Sequence, residues 1–169
     1  RQNHADIVLQ YECMRPVSLF RFTQPRGKFV SGARWFLTHS GVCASSLFAS
    51  GAFLKSHSEM SYPILQLIFL PLAVDPRSAQ SKPFHGFQIH VGLQNSNSRG
   101  SVEIRSEDPD IAPEIKFNLL SHAEDLENLY SGIGLARNIV NQPAFDSYKG
   151  TELFPGSSVK TNDQLYNWI

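Results

Sequence analysis

The sequence has no excess charge of either sign: Lys plus Arg and Asp plus Glu both number 15 in 169 residues. That excludes the basic footprint of a nucleic-acid binder and the acidic block of a charged tail. It also lacks a long hydrophobic run. The most apolar stretch, 64–74, is far short of a membrane span and is broken by Gln66 and Pro71. Cysteine is scarce: Cys13 and Cys43 form no CxxC pair and no metal-ligand spacing. Two buried thiols are therefore expected rather than a disulfide, in keeping with a reducing compartment. The opening RQNHAD does not have the build of a signal peptide.

Recognised catalytic and phosphate-binding patterns are missing as well. There is no GxxxxGK[ST] and no HExxH. The GxG in GIGLAR, at Gly132 and Gly134, lies inside a helical pattern and has no third glycine, so it does not read as a dinucleotide turn. His85 and His90 stand five apart on a strand-like stretch and point to opposite faces, which opposes shared metal ligation. His122 falls at a helix start, where a solvated polar residue is expected. Ser40, in HSGVC, lacks the GxSxG elbow of a nucleophile.

What is present reads as a globular domain, with 41% hydrophobic and only 18% charged residues. Asp6–Cys13 alternates like a strand, with Ile7, Leu9, Tyr11 and Cys13 on one face. A short helical or irregular segment is expected over 27–39. A strand is expected over 45–54, interrupted by Gly51, and another over 65–70, ended by Pro71. The polar loop 75–82 is the segment expected to move. Phe87, Ile89, Val91 and Leu93 alternate with polar or small residues, then a polar turn at 95–100 leads to a second alternation at 102–105. This predicts a hairpin with one covered face, its turn ended by Gly100 at positive φ. Residues 115–117 offer one more strand.

Two helices carry start signals. Ser121 with Glu124 reads as a capping box before Leu126, Leu129, Ile133, Ala136 and Val140, a run stopped by Pro143. Thr161 with Gln164 reads as a second capping box. With strands first and helices later, the expected fold class is α+β: an antiparallel β-sheet with helices packed on one side.

The motifs from His85 onward come in a fixed order: HGFQIHVG, SRGSVEIRSEDP, PEIKFNLLSHAEDL, QPAFDSYKGTELFPG and TNDQLYNWI. That order resembles the substrate domain of glucose–methanol–choline oxidoreductases, in particular the choline dehydrogenase branch. YECMRPVSLF and GVCASS are similar to that branch too. Gln2–His4 resembles the end of the family's NLQDH element.

The resemblance implies a parent that oxidises an alcohol by hydride transfer to FAD, with residues 1–169 as part of its substrate-binding domain. It implies that Phe48, Ala49, Ile68 and Phe69 line the alcohol pocket and that Asn3 and His4 lie towards the flavin. It places the glycine-rich dinucleotide turn before Arg1 and the catalytic histidine after Ile169, so no catalytic residue is expected within the chain and the chain alone is not expected to retain FAD. The chain opens on Arg1 rather than Met and closes on Ile169 within a helical pattern, which agrees with a piece of a longer protein. The partner implied is a small-molecule alcohol, with no nucleic acid and no transmembrane segment. The parent would be cytoplasmic or peripheral to the inner membrane. A truncated non-catalytic paralogue serving as a binding module is the alternative.

Three positions depart from the family pattern. Asn3 stands where the NLQDH element has Asp, Ala49 where choline dehydrogenases tend to have Glu, and Ile68 where His often precedes FLP. The last two make the expected pocket less polar and favour a bulkier or more apolar alcohol than choline.

Overall fold

The computed structural model describes residues 5–75 and 78–168. Its frame is a five-stranded sheet in the order β2-β3-β4-β1-β7. The strands are β1 (Asp6–Cys13), β2 (Ser50–Leu54), β3 (Leu65–Leu70), β4 (Gly86–Leu93) and β7 (Lys149–Phe154). Every pairing among them is antiparallel. A separate two-stranded sheet joins β5 (Ser101–Glu103) to β6 (Glu114–Lys116). The helices are α1 (Phe20–Thr23), α2 (Pro25–Thr38), α3 (Ala123–Val140) and α4 (Asn162–Trp168).

Residues directly opposite in an antiparallel ladder share a face. Ile7, Leu9 and Tyr11 of β1 face Val91, Ile89 and Phe87 of β4, and β3 adds Leu65, Leu67 and Phe69 to the same face. On this first face α3 lays down Leu129, Ile133, Ala136 and Val140, all buried. Each large side chain moved fully out of water here contributes about 1.5–3 kcal/mol. Gly132 makes the contact close: a Cβ there would stand 2.6 Å from Val91 Cγ1 and 3.2 Å from Leu65 Cδ2. The first glycine of the GxG is thus a packing feature within α3. At the rim, Arg137 of α3 holds Glu152 of β7 through both carboxylate oxygens at 2.7 and 3.0 Å, and Tyr11 donates to Glu152 at 2.9 Å. Burial first, then the Glu152 charge, push the Tyr11 phenol well above its ordinary value. The hydrogen bond to Glu152 raises Arg137 likewise.

The second face has two halves. At one end the opposed pair Gln10 and Gln88 both donate their amides to Val74 O, at 2.9 and 2.7 Å. The segment 71–74 thereby covers that end, and both glutamines are buried. The alternation of polar residues along β1 and β4 therefore does not mark a wholly solvated face. The other end carries Asp6, Val8, Ile68, His90 and Phe53, all at least partly exposed.

Several expectations need correction. β4 does not form a hairpin with β5; its neighbours are β3 and β1. The turn after β4 is taken over by Asp125 of α3, which accepts hydrogen bonds from Ser96 Oγ, the Asn97 amide, and the amide and hydroxyl of Ser98 at 2.6–2.8 Å. Those bonds lead the chain off the sheet. Gly100 is needed because a Cβ would collide with the backbone of Lys116 and Phe117, and its φ is not positive. The strand expected over 45–54 begins only at Ser50, because Val42–Ala44 forms a 3₁₀ turn and Leu47 takes φ 69°.

Strands and helices are also interleaved. α1 and α2 lie between β1 and β2, and β7 lies between α3 and α4. Ser121 does not cap α3: His122 is the N-cap residue, without a side-chain cap bond, and Glu124 accepts from Asn97 Nδ2 instead. The second capping box is present, with Gln164 N donating to Thr161 Oγ1 at 3.2 Å and Thr161 N to Gln164 Oε1 at 3.0 Å. Both cysteines are free, but Cys43 is exposed, so only Cys13 is even partly sheltered. Asp75 and Lys82 form an ion pair at 2.6 Å, and Val74 bridges Ser81. The α+β class with an antiparallel sheet and α3 on one face stands as expected.

Candidate functional site

The uncovered half of the second sheet face combines exposed apolar side chains with a titratable pair. β4 places His90 directly across the ladder from Ile68 of β3 on one side and Val8 of β1 on the other. The Nδ1 atom of His90 lies 2.7 Å from Asp6 Oδ2. Phe48, on the loop before β2, sets its ring against the imidazole at 6.1 Å between centroids with planes at 86°. Half of Phe48 and three fifths of the neighbouring Phe53 remain open to solvent. The result is a shallow apolar surface with one histidine in it, oriented by a carboxylate.

The residues expected to line a pocket divide between the two faces. Phe48 and Ile68 share the open face with His90. Ala49 is exposed just before β2, and its amide donates to Phe69 O at 3.0 Å. Phe69 itself lies on the opposite face, because neighbours along a strand alternate. There it packs against Phe87 at 5.6 Å and borders an apolar cleft of about 250 Å³ with Ile89, Ile139 and Phe145. Ile68 and Phe69 therefore serve different surfaces. Asn3 and His4 lie outside the described residues.

His90 and Asp6 were not singled out by the sequence as site residues. They are brought together only by the pairing of β1 with β4, across 84 positions. His85 goes elsewhere, with Nδ1 at 2.8 Å from Ser18 Oγ and its ring edge-on to Phe20. Among the described residues no three His, Cys, Asp or Glu side chains gather as a metal site. No described helix is long and apolar enough to cross a membrane.

Residues 96–169 match the family model described as GMC oxidoreductase. Along almost its whole length the chain is also similar to an oxygen-dependent choline dehydrogenase of Escherichia coli O139:H28, with 40% identity over 168 residues. The chain covers 30% of that choline dehydrogenase's length.

Two solved structures share the fold at low identity. A formate oxidase superposes with a TM-score of 0.80 at 14% identity, over 99% of this chain and 34% of that one. A pyridoxine 4-oxidase from Mesorbium loti gives 0.71 at 17% identity, over 99% and 30%. The GMC family model begins at Ser96, in the turn that Asp125 gathers, and runs through β5, β6, α3, β7 and α4. The open half-face lies almost wholly on elements before that boundary, β1 to β4.

Proposed function

We propose that this chain is part of the substrate-binding domain of an FAD-dependent alcohol oxidoreductase, with Phe48, Ala49 and Ile68 on the alcohol side. The observation that carries the proposal is the 40% identity to choline dehydrogenase over 99% of the chain. The flavin belongs to the whole parent, where it would accept hydride from the alcohol carbon. The described residues do not fit its pyrophosphate. Their sheet pairings are all antiparallel, and Gly132 is packed on Val91 and Leu65 rather than open to a ligand. What the chain contributes is a surface: β3 and β4 hold Ile68 and His90 at fixed register, and the loop before β2 brings Phe48 over them.

With Ala49 and Ile68 at the positions where the family tends to place Glu and His, that surface offers a cation little. It suits a neutral alcohol with an apolar body. Phe69, on the other face, is assigned to support rather than contact, and Asn3 and His4 remain the residues expected nearest the flavin. We assign the parent to the cytoplasm, with peripheral attachment to the inner membrane as the further possibility to be tested by fractionation.

The test uses the full-length, flavin-loaded parent with choline and its neutral carbon isostere, 3,3-dimethylbutan-1-ol. Bleaching of the flavin by either alcohol under anaerobic conditions is the expected result, and no bleaching by any alcohol would remove the proposal. Ala49→Glu should move the ratio of kcat/KM towards choline by about tenfold or more, since a partly desolvated carboxylate attracts a cation by a few kcal/mol. The same carboxylate, unpaired beside a neutral alcohol, costs free energy. An unchanged ratio in a folded, flavin-loaded variant means that Ala49 does not face the substrate.

A further inference from the structure

His90, paired with Asp6, is set beside Val8, Ile68 and Phe48 on the open half-face, and its geometry states which ligand chemistry it can serve. Asp6 Oδ2 lies 2.7 Å from Nδ1, so the carboxylate accepts the Nδ1 proton and fixes both tautomer and ring plane. In the neutral ring Nε2 then carries a lone pair and is an acceptor. No described residue makes a hydrogen bond to Nε2, and the side chain keeps 23% of its surface open. Phe48 stands edge-on to the ring and Ile68 lies directly across the ladder. A donor arriving at Nε2 therefore meets an acceptor with apolar flanks, where a hydrogen bond is stronger than in water.

Charge around the ring is also restricted. From β1 the charged neighbour is Asp6. β3 presents Ile68 and Gln66, and Gln66 accepts from Gln94 at 2.8 Å. The loop before β2 presents Phe48. A hydroxyl arriving at this place has a proton to give Nε2, which a hydrocarbon of the same shape lacks.

We propose that His90, positioned by Asp6, binds the hydroxyl of a neutral alcohol through Nε2, with the apolar body of that alcohol lying on Phe48 and Ile68. This rests on the assignment of the half-face to the alcohol in the preceding section. Asp6 is a positioning residue, acting through the imidazole.

The experiment uses the full-length, flavin-loaded parent labelled with ¹⁵N-histidine, with 3,3-dimethylbutan-1-ol as probe and 2,2-dimethylbutane as the same body without the hydroxyl. The alcohol is expected to move the His90 Nε2 resonance and the hydrocarbon to leave it in place. His90→Phe should raise both Kd and KM for the alcohol about tenfold while kcat falls by less than about threefold, and His90→Gln should recover part of the loss. Asp6→Asn should weaken binding by a smaller factor and move the His90 Nδ1 resonance, since the Asp6 carboxylate is the partner of that atom. An Nε2 resonance that ignores the alcohol, or a folded His90→Phe protein with unchanged Kd, overturns the proposal. Should His90→Phe fail to fold, the two resonances decide: an Nε2 signal silent to the alcohol, or an Nδ1 signal unmoved by Asp6→Asn, counts against it. Alcohol binding at Nε2 without flavin reduction would sink the enzymatic assignment and leave this one standing. Turnover with a silent His90 would do the reverse.

Discussion

Two glycines two positions apart on α3 have opposite reasons to be there. At Gly132 a Cβ would sit 2.6 Å from Val91 Cγ1, and Val91 is fully buried and stiff at χ1. At Gly134 nothing lies within 4 Å. Gly132→Ala should therefore lower unfolding free energy, since overpacking of about 1–3 kcal/mol exceeds the helix-propensity gain of about 1 kcal/mol. Gly134→Ala should raise it by up to about 1 kcal/mol. Urea unfolding of the two variants checks the opposite signs. Asp125 allows a pH prediction. Burial alone would raise its carboxyl, but the bonds from Ser96, Ser98 and the two amides outweigh that and hold it below the ordinary carboxylate value. A lowered folded value means that its contribution is complete above the unfolded value, near 4, and is lost as pH falls through the folded one. Asp125→Asn should cost about 2–3 kcal/mol at neutral pH. The gap to the unaltered protein should narrow in acid, as measured by unfolding from pH 7 to pH 3.

At the scale of elements, start signals were read with mixed success, and the reason is local. Thr161 and Gln164 satisfy each other, and Gln164 Oε1 also accepts the neighbouring Lys160 amide without giving up the Thr161 bond, so the motif is sufficient. Ser121 loses its role because Ser98 Oγ accepts the His122 amide and Asn97 draws Glu124 away. Thr161→Ala should thus cost about 1 kcal/mol, while Ser121→Ala should be near neutral; thermal unfolding of both tests this. β1 and β3 were legible to the residue because alternation or an apolar run was bounded by Pro or polar turns. β4 was legible as a strand but not by partner, because Asp125, some thirty positions further on, decides where the following turn goes. β7 was missed: KGTELF has little alternation, and its pairing with β1 is irregular, with two register shifts. On the open half-face, Phe48 and Ile68 are residues to which the family resemblance points, and the structure shows that they share that face with His90. The Asp6–His90 pair was not legible, since only the assembled sheet joins residues 84 apart.

At the scale of the molecule, one sheet face is a helix-covered core and half of the other is exposed, on a chain that covers 30% of the choline dehydrogenase it matches. Such a chain can be a stable body without being a cofactor site. A dinucleotide needs backbone amides at a glycine-rich turn between a strand and the start of a helix, where they meet the pyrophosphate together with the helix dipole. The described strands are joined antiparallel, and no strand of the large sheet leads through a helix to a parallel neighbour. The GxG stands in the middle of α3, where amides are engaged along the helix and Gly132 is closed off by Val91. The exposed half-face supplies aromatic edges, one imidazole and the Asp6 carboxylate, which are not contacts for a diphosphate. The 169-residue chain expressed alone should therefore fold yet emerge from gel filtration colourless, and equilibrium dialysis against FAD should show no stoichiometric uptake. The full-length parent prepared in parallel should retain flavin. A yellow, stoichiometric complex of the isolated chain would mean that the sheet face itself holds the cofactor, and the half-face would have to be reassigned from the alcohol to the flavin.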